Sequence, residues 1–249
     1  MSGLEEAGPP PTHPAADRHG EAWYAEARAL AAELERTPER ARLPLLATRL
    51  PVLHAHHDAF VREVLEASPA QVTCGPGCAA CCRQWVAGVH AHEVALLGRH
   101  VLEARDPRAV RARLVEDLAA YEALRPDAHP AAARASDPEE ARAVAYLALE
   151  RPCVFLGDDE RCTVHPLRPS VCRGYFSLSA PERCAAPLLL DPGTRTFQLE
   201  PHHRATEALN HLDSALPAAL HATQQTTALV RALLTFLDAA LAERDEPSP

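Results

Sequence analysis

The sequence predicts a mainly α fold: a helical domain that carries an irregular cysteine-rich loop region and two small β-hairpins. Three observations lead there. Apolar residues recur at three- and four-residue spacing in most of the chain. Several of these stripes open on a capping residue followed by proline. Two exceptional stretches, 71–85 and 152–199, are rich in Gly, Pro, Asp and Cys instead.

Residues 1–20, rich in Pro and small residues, read as a disordered N-terminal tail. Glu21 to Glu35 has helix composition, and Thr37-Pro38 starts a second helix that Pro44 and Pro51 are expected to interrupt. From Pro51 to Ala67 the residues Leu53, Phe60 and Val64 share a helix face, and Ser68-Pro69 ends the run. After the Gly75-Pro76-Gly77 loop, helices resume on Val94, Leu97 and Val101, then on Val110, Leu114, Tyr121 and Leu124. A Pro/Ala/Asp linker spans 126–136. Asp137-Pro138-Glu139-Glu140 then supplies an N-cap, a first-turn proline and acidic residues for a helix running to about Glu150. One hairpin is expected where Cys153–Leu156 and Arg161–Val164 flank Gly157-Asp158-Asp159-Glu160. The other is expected where Leu188–Leu190 and Arg195–Leu199 flank Asp191-Pro192-Gly193-Thr194. Two last helices fall on Leu209, Leu212 and Leu216 and on Leu229, Leu233, Phe236 and Leu237. Residues 21–245 read as a single domain with its motif core at 74–184.

At 249 residues the chain can bury a sizeable core without disulfides. Its net charge of −9, with no basic run, argues against nucleic-acid binding through phosphate neutralisation. All 25 cations are Arg, which reads as compositional drift. There is no apolar h-region at the start and no run of ~18 apolar residues, so no membrane span is expected. The expected compartment is the cytoplasm, where thiols stay reduced. Eight cysteines there call for an explanation other than disulfides.

The cysteines fall into two sets. Cys74-x3-Cys78-x2-Cys81-Cys82 places four thiols in nine residues, and Cys153, Cys162, Cys172 and Cys184 follow at spacings of 9, 10 and 12. Thiolates bind soft and borderline metals, and closely spaced ones on a loop can converge on one ion or cluster. Gly75 and Gly77 would let the backbone turn tightly there. A disulfide framework is the competing reading, and the vicinal pair Cys81-Cys82 disfavours it. Arg168 and Arg173, among the second set, are positioned in sequence to hydrogen-bond carbonyls or stabilise thiolate charge, or else to pair with surface carboxylates.

These residues resemble the CxxCxxCC family, the YkgJ-like cysteine-cluster proteins that chelate zinc or iron. The matching features are the opening quartet, Pro152-Cys153-x-Phe155-Leu156, and Cys162 with His165, Arg168-Pro169, Cys172-Arg173 and Tyr175. They span 74–175, and the flanking helices carry no such resemblance. The resemblance implies a zinc or iron–sulfur centre on Cys74, Cys78, Cys81, Cys82, Cys153, Cys162 and Cys172, with Cys184 following the matched motif. Arg168, Arg173, His165 and Tyr175 would surround it, His165 as a nitrogen ligand, a donor to a ligand, or a loop histidine. It also permits an iron–sulfur-dependent enzyme, since one branch of the family methylates flagellin lysines.

The spacing Cys74-x3-Cys78-x2-Cys81 is also similar to that of radical S-adenosylmethionine enzymes. Ala80 stands where those enzymes usually place an aromatic, and the strand–helix alternation of a β/α barrel is missing. No phosphate loop, nucleophile elbow or H-E-x-x-H helix is present. The chain therefore reads as a metal-binding protein, with catalysis undetermined and a protein partner expected if the metal is structural zinc. Among the other histidines, His54 and His57 read as satisfied, partly buried side chains, and His202-His203 as a loop pair. His90 and His92 open a helix, with Glu93 complementing its N-terminus rather than doing acid–base work. Trp85 reads as a hydrophobic lid behind the cluster.

Overall fold

The computed structural model describes residues 16–68, 71–186, 188–216 and 228–245. Residues 1–15 of the stretch read as a tail lie outside the described residues, and Ala16–Gly20 form a π-helical turn leading into the first helix. The helices are α1 (Glu21–Arg36), α2 (Glu39–Ala67), α3 (Ala91–Ala104), α4 (Pro107–Glu122), α5 (Pro138–Leu147), α6 (Ser170–Arg173), α7 (Ala205–Ser214) and α8 (Leu229–Asp245). Strands β1 (Tyr175–Ser177) and β2 (Thr196–Gln198) form the one sheet among the described residues. The architecture is mainly α with minor β. No helix of the described residues is long and apolar enough to cross a membrane.

The helix starts follow from local chemistry. Asp106 accepts hydrogen bonds from the backbone N–H groups of Arg108 and Ala109, and Asp137 from those of Glu139 and Glu140. Each satisfies donors that a first turn leaves unpaired, with Pro107 and Pro138 fixing φ just behind. The helix opened by Asp137 stops at Leu147, short of the expected Glu150, where Glu150 takes a left-handed φ of 52°.

Two elements differ from expectation. Pro44 and Pro51 lie inside one continuous 29-residue helix, α2. A mid-helix proline costs about 3 kcal/mol. On α2, however, Leu46, Leu50, Leu53 and Phe60 are buried, each contributing roughly 1.5–3 kcal/mol. The hairpins are also fewer than expected. Residues 188–190 are turns, and β2 pairs antiparallel with β1, Phe176 opposite Phe197, so the second hairpin spans a long excursion. Apolar pairing with Phe176 captures Phe197, its ring centroid 5.8 Å away. The first hairpin shrinks to a single bridge between Leu156 and Cys162, closed by Gly157 N–H donating to the Arg161 carbonyl.

The centre of the frame is α3, which packs on α2, α4, α7 and α8. His92 to Gly98 are all buried, as expected of a helix surrounded on every side. Gly98 lets α8 approach, because a Cβ there would sit 2.2 Å from the Phe236 ring. The first turn of α3 follows directly on the cysteine loop, so the apolar core anchors that loop from behind.

Candidate metal centre

The first cysteine segment is a chain of tight turns. Cys78 N–H donates to the Gly75 carbonyl at 2.9 Å and Cys82 N–H to Ala79 at 3.0 Å. Gly77 has a φ of +86°, which L side chains adopt only with strain. Thr73 N–H donates to the Ser177 carbonyl, and Ser177 N–H donates to the Cys74 sulfur at 3.3 Å. The start of the loop is thereby fixed to β1.

The second segment meets the first through the backbone. Cys153 N–H donates to the Cys82 carbonyl at 2.7 Å. Arg83, in the turn that holds Cys81 and Cys82, pairs both guanidinium nitrogens with Glu160 at 3.0 Å. The Pro181–Cys184 turn packs against the Ala80–Arg83 turn. All eight cysteines are free thiols; Cys184 is buried, Cys74 exposed and the rest half-buried.

Electrostatics show which thiols are neighbours. Burial pushes the thiols of Cys74, Cys153, Cys162 and Cys172 up, Cys153 to about 11. Negative charge on Cys81 adds to the rise at all four. Charge on Cys78 and Cys184 acts on Cys74 as well. The Cys81 thiol is raised most by its hydrogen bond with Cys82, then by burial. Cys81 is therefore within electrostatic reach of thiols of both segments. Without a cation these groups stay protonated, since several buried thiolates would repel one another. A soft cation reverses that preference, so the donor set fits zinc or iron.

The four other candidate residues divide. Arg168 faces the thiols, and its charge lowers the pKa of Cys81, Cys162 and Cys172. Arg173 turns away from them. It is buried, holds both oxygens of Asp58 at 2.7 Å, and donates to His54 Nδ1 and the Pro166 carbonyl. It thus ties α2 to the loop carrying Cys172. His165 lies in a 3-10 turn where burial, then the charges of Arg168 and Arg173, lower its pKa. Tyr175 opens β1 opposite Gln198. Trp85 is buried and stacks on Tyr121 at 3.8 Å, with Tyr146 at its edge.

The histidines are more deeply placed than their pattern indicates. His54 and His57 are buried, the latter bonded to the Leu199 carbonyl at 3.0 Å. His202 stacks on Tyr24 and reaches Glu21. Glu93 accepts from His90 N–H and from Ser170 N–H, joining the start of α3 to α6. Sequence reasoning missed Asp213 altogether. It receives His90 Nδ1 and His92 Nδ1 at 2.9 and 2.7 Å. Among the described residues this trio is the one set of three His, Cys, Asp or Glu ligand atoms within 4.8 Å of one another, and the thiols form a wider array. The His-x-His pattern at a helix start was its only sequence signal. His90 and Asp213 line a cleft of about 620 Å³, together with Ser170 and Val171 next to Cys172.

Comparison with known families finds a match over the middle of the chain. Residues 73–187 match the family model "CxxCxxCC: Putative zinc- or iron-chelating domain", which takes in all eight cysteines. Residues 73–187 are thus similar to that domain, and α1, α2, α7 and α8 lie outside the match. No curated protein and no solved structure matches the chain.

Proposed function

We propose that this is a metal-binding protein in which the two cysteine segments together hold zinc or an iron–sulfur centre, with the thiolate donors drawn from Cys74, Cys78, Cys81, Cys82, Cys153, Cys162 and Cys172, and with Cys184 beside them. The observation that carries it is the position of Cys81, whose charge acts on Cys74 from its own segment and on Cys153, Cys162 and Cys172 from the other. Arg168 offsets the negative charge of the thiolates, and Arg173 positions the Cys172 loop against α2. The 21–245 segment then acts as one domain stapled at its middle. A bound zinc would supply fold stability, and an iron–sulfur centre would supply electrons or a Lewis-acidic iron.

A second reading, an iron–sulfur-dependent enzyme of radical or methyl-transfer type, is favoured by the cleft that opens beside Cys172. Anaerobic purification of the untagged protein, followed by metal analysis, acid-labile sulfide assay and absorption spectroscopy, tests both. Iron with matching sulfide and a broad band near ~400 nm supports the cluster and leads to S-adenosylmethionine binding assays. Stoichiometric zinc with a featureless visible spectrum supports a closed scaffold site and a protein partner. Neither metal above background contradicts the proposal.

A further inference from the structure

We propose that His90, His92 and Asp213 form a second, cysteine-free site, for a divalent first-row transition-metal ion. Two imidazoles and a carboxylate are the donor set such ions take when sulfur is absent, and it leaves coordination positions open. Here the three ligand atoms lie within 4.8 Å of one another. Each Asp213 oxygen faces a different imidazole, Oδ2 to His90 Nδ1 at 2.9 Å and Oδ1 to His92 Nδ1 at 2.7 Å. Ligand atoms that share an ion at about 2.0–2.2 Å and subtend near-right angles lie about 3 Å apart. The two imidazole-to-carboxylate pairs have that spacing before any ion is added, and the third pair lies within 4.8 Å.

The site is held by the fold rather than by the ligands alone. His92 N–H, in the first turn of α3, donates to Asp213 Oδ1 at 3.0 Å, and Asp213 sits on α7. Glu93 accepts the His90 N–H and fixes the entry to α3. Such outer contacts orient ligands before binding. His92 and Asp213 are buried, and the Nε2 of His92 has no partner among the described residues. All polar contact of that ring is therefore made at Nδ1, on the carboxylate.

Access comes from the other side. His90 is half-buried and, with Asp213, lines the 620 Å³ cleft, where Glu200, Asn210 and Ser214 also stand. Negative charge from Glu93, Asp213 and Glu200 surrounds His90 and favours a cation there. The cleft gives an ion a way in and leaves room for an exogenous ligand. The alternative is an internal clamp, in which the carboxylate simply bonds two imidazole N–H groups and joins α3 to α7.

Co2+ distinguishes the two. The protein as purified, with its thiol centre loaded, is titrated anaerobically with Co2+ and followed by visible absorption and calorimetry. The expected result is uptake of one ion with weak d–d bands and no sulfur-to-cobalt charge-transfer band. His90→Ala and Asp213→Asn should weaken it by at least about a hundredfold. A wild-type protein that takes up no thiolate-independent Co2+, or a His90→Ala variant that binds as the wild type does, makes the trio an internal clamp and overturns the proposal. If Asp213→Asn fails to fold, His90→Ala carries the test, because His90 borders the cleft. The cysteine reading stands or falls separately, since loss of this site leaves the thiol-bound metal unchanged.

Discussion

The helical frame and the cysteine-bearing loops are held together in different ways. In the frame, α3 buries Ala91 through Gly98 and Val101 among α2, α4, α7 and α8, and the stabilising quantity is apolar area. In the loops, regular structure is reduced to short 3-10 turns, the one-turn helix α6, a single β-bridge and a three-residue strand pair. There the segments are joined by individual contacts: Cys153 N–H on the Cys82 carbonyl, Arg83 on Glu160, and Arg173 on Asp58. Hydrogen bonds of this kind each contribute about 1 kcal/mol net. On the proposed reading the frame is held by its own core, whereas the loops depend on the metal.

Metal removal should separate the two regions most sharply. A structural metal contributes on the order of 10 kcal/mol to the segment that binds it. After chelation, hydrogen exchange should accelerate across 74–82 and 153–184, with α3 and α8 staying protected. Equal acceleration everywhere would show a single cooperative unit in place of a frame and an insert.

The frame responds to packing instead. Leu97 is fully buried, and Leu97→Ala should cost about 2–5 kcal/mol in urea unfolding with metal content per folded chain unchanged. A loss under about 1 kcal/mol would mean that α3 is not the centre of the core.

A smaller effect sharpens the border between the regions. Burial, then the positive charge of Arg173, pushes the pKa of His54 down to about 2. The unfolded chain has an ordinary histidine pKa of about 6.5 and so binds the proton that the folded chain refuses. The stability tied to neutral His54 is complete above about pH 6.5 and is lost as pH falls, by roughly 1.4 kcal/mol per unit. His54→Gln keeps an acceptor for Arg173 and should flatten this slope; an unchanged slope would place the titration elsewhere.

The same division decided what could be read from the sequence. Apolar periodicity and the Asp-Pro start at 137 located the frame helices, because burial and capping are local in their residue patterns. The continuity of α2 through Pro44 and Pro51 was hidden, since it depends on Leu46 and Leu50 finding a buried surface. The partner of β2 was hidden because Phe197 pairs across the chain with Phe176 rather than with its neighbours at 188–190. At the site, the two cysteine sets were legible as motifs. Their meeting at Cys81, and the opposite orientations of Arg168 and Arg173, were tertiary facts. Asp213 lies 121 residues beyond His92, and no local pattern could have joined them.

The central claim is that thiols from both segments serve one centre. Its most direct test is metal per chain in Cys81→Ser and Cys153→Ser proteins, one substitution in each segment, prepared anaerobically beside the wild type. Shared ligation predicts that either substitution lowers bound metal and thermal stability together. Wild-type metal content and melting temperature in both variants would contradict it.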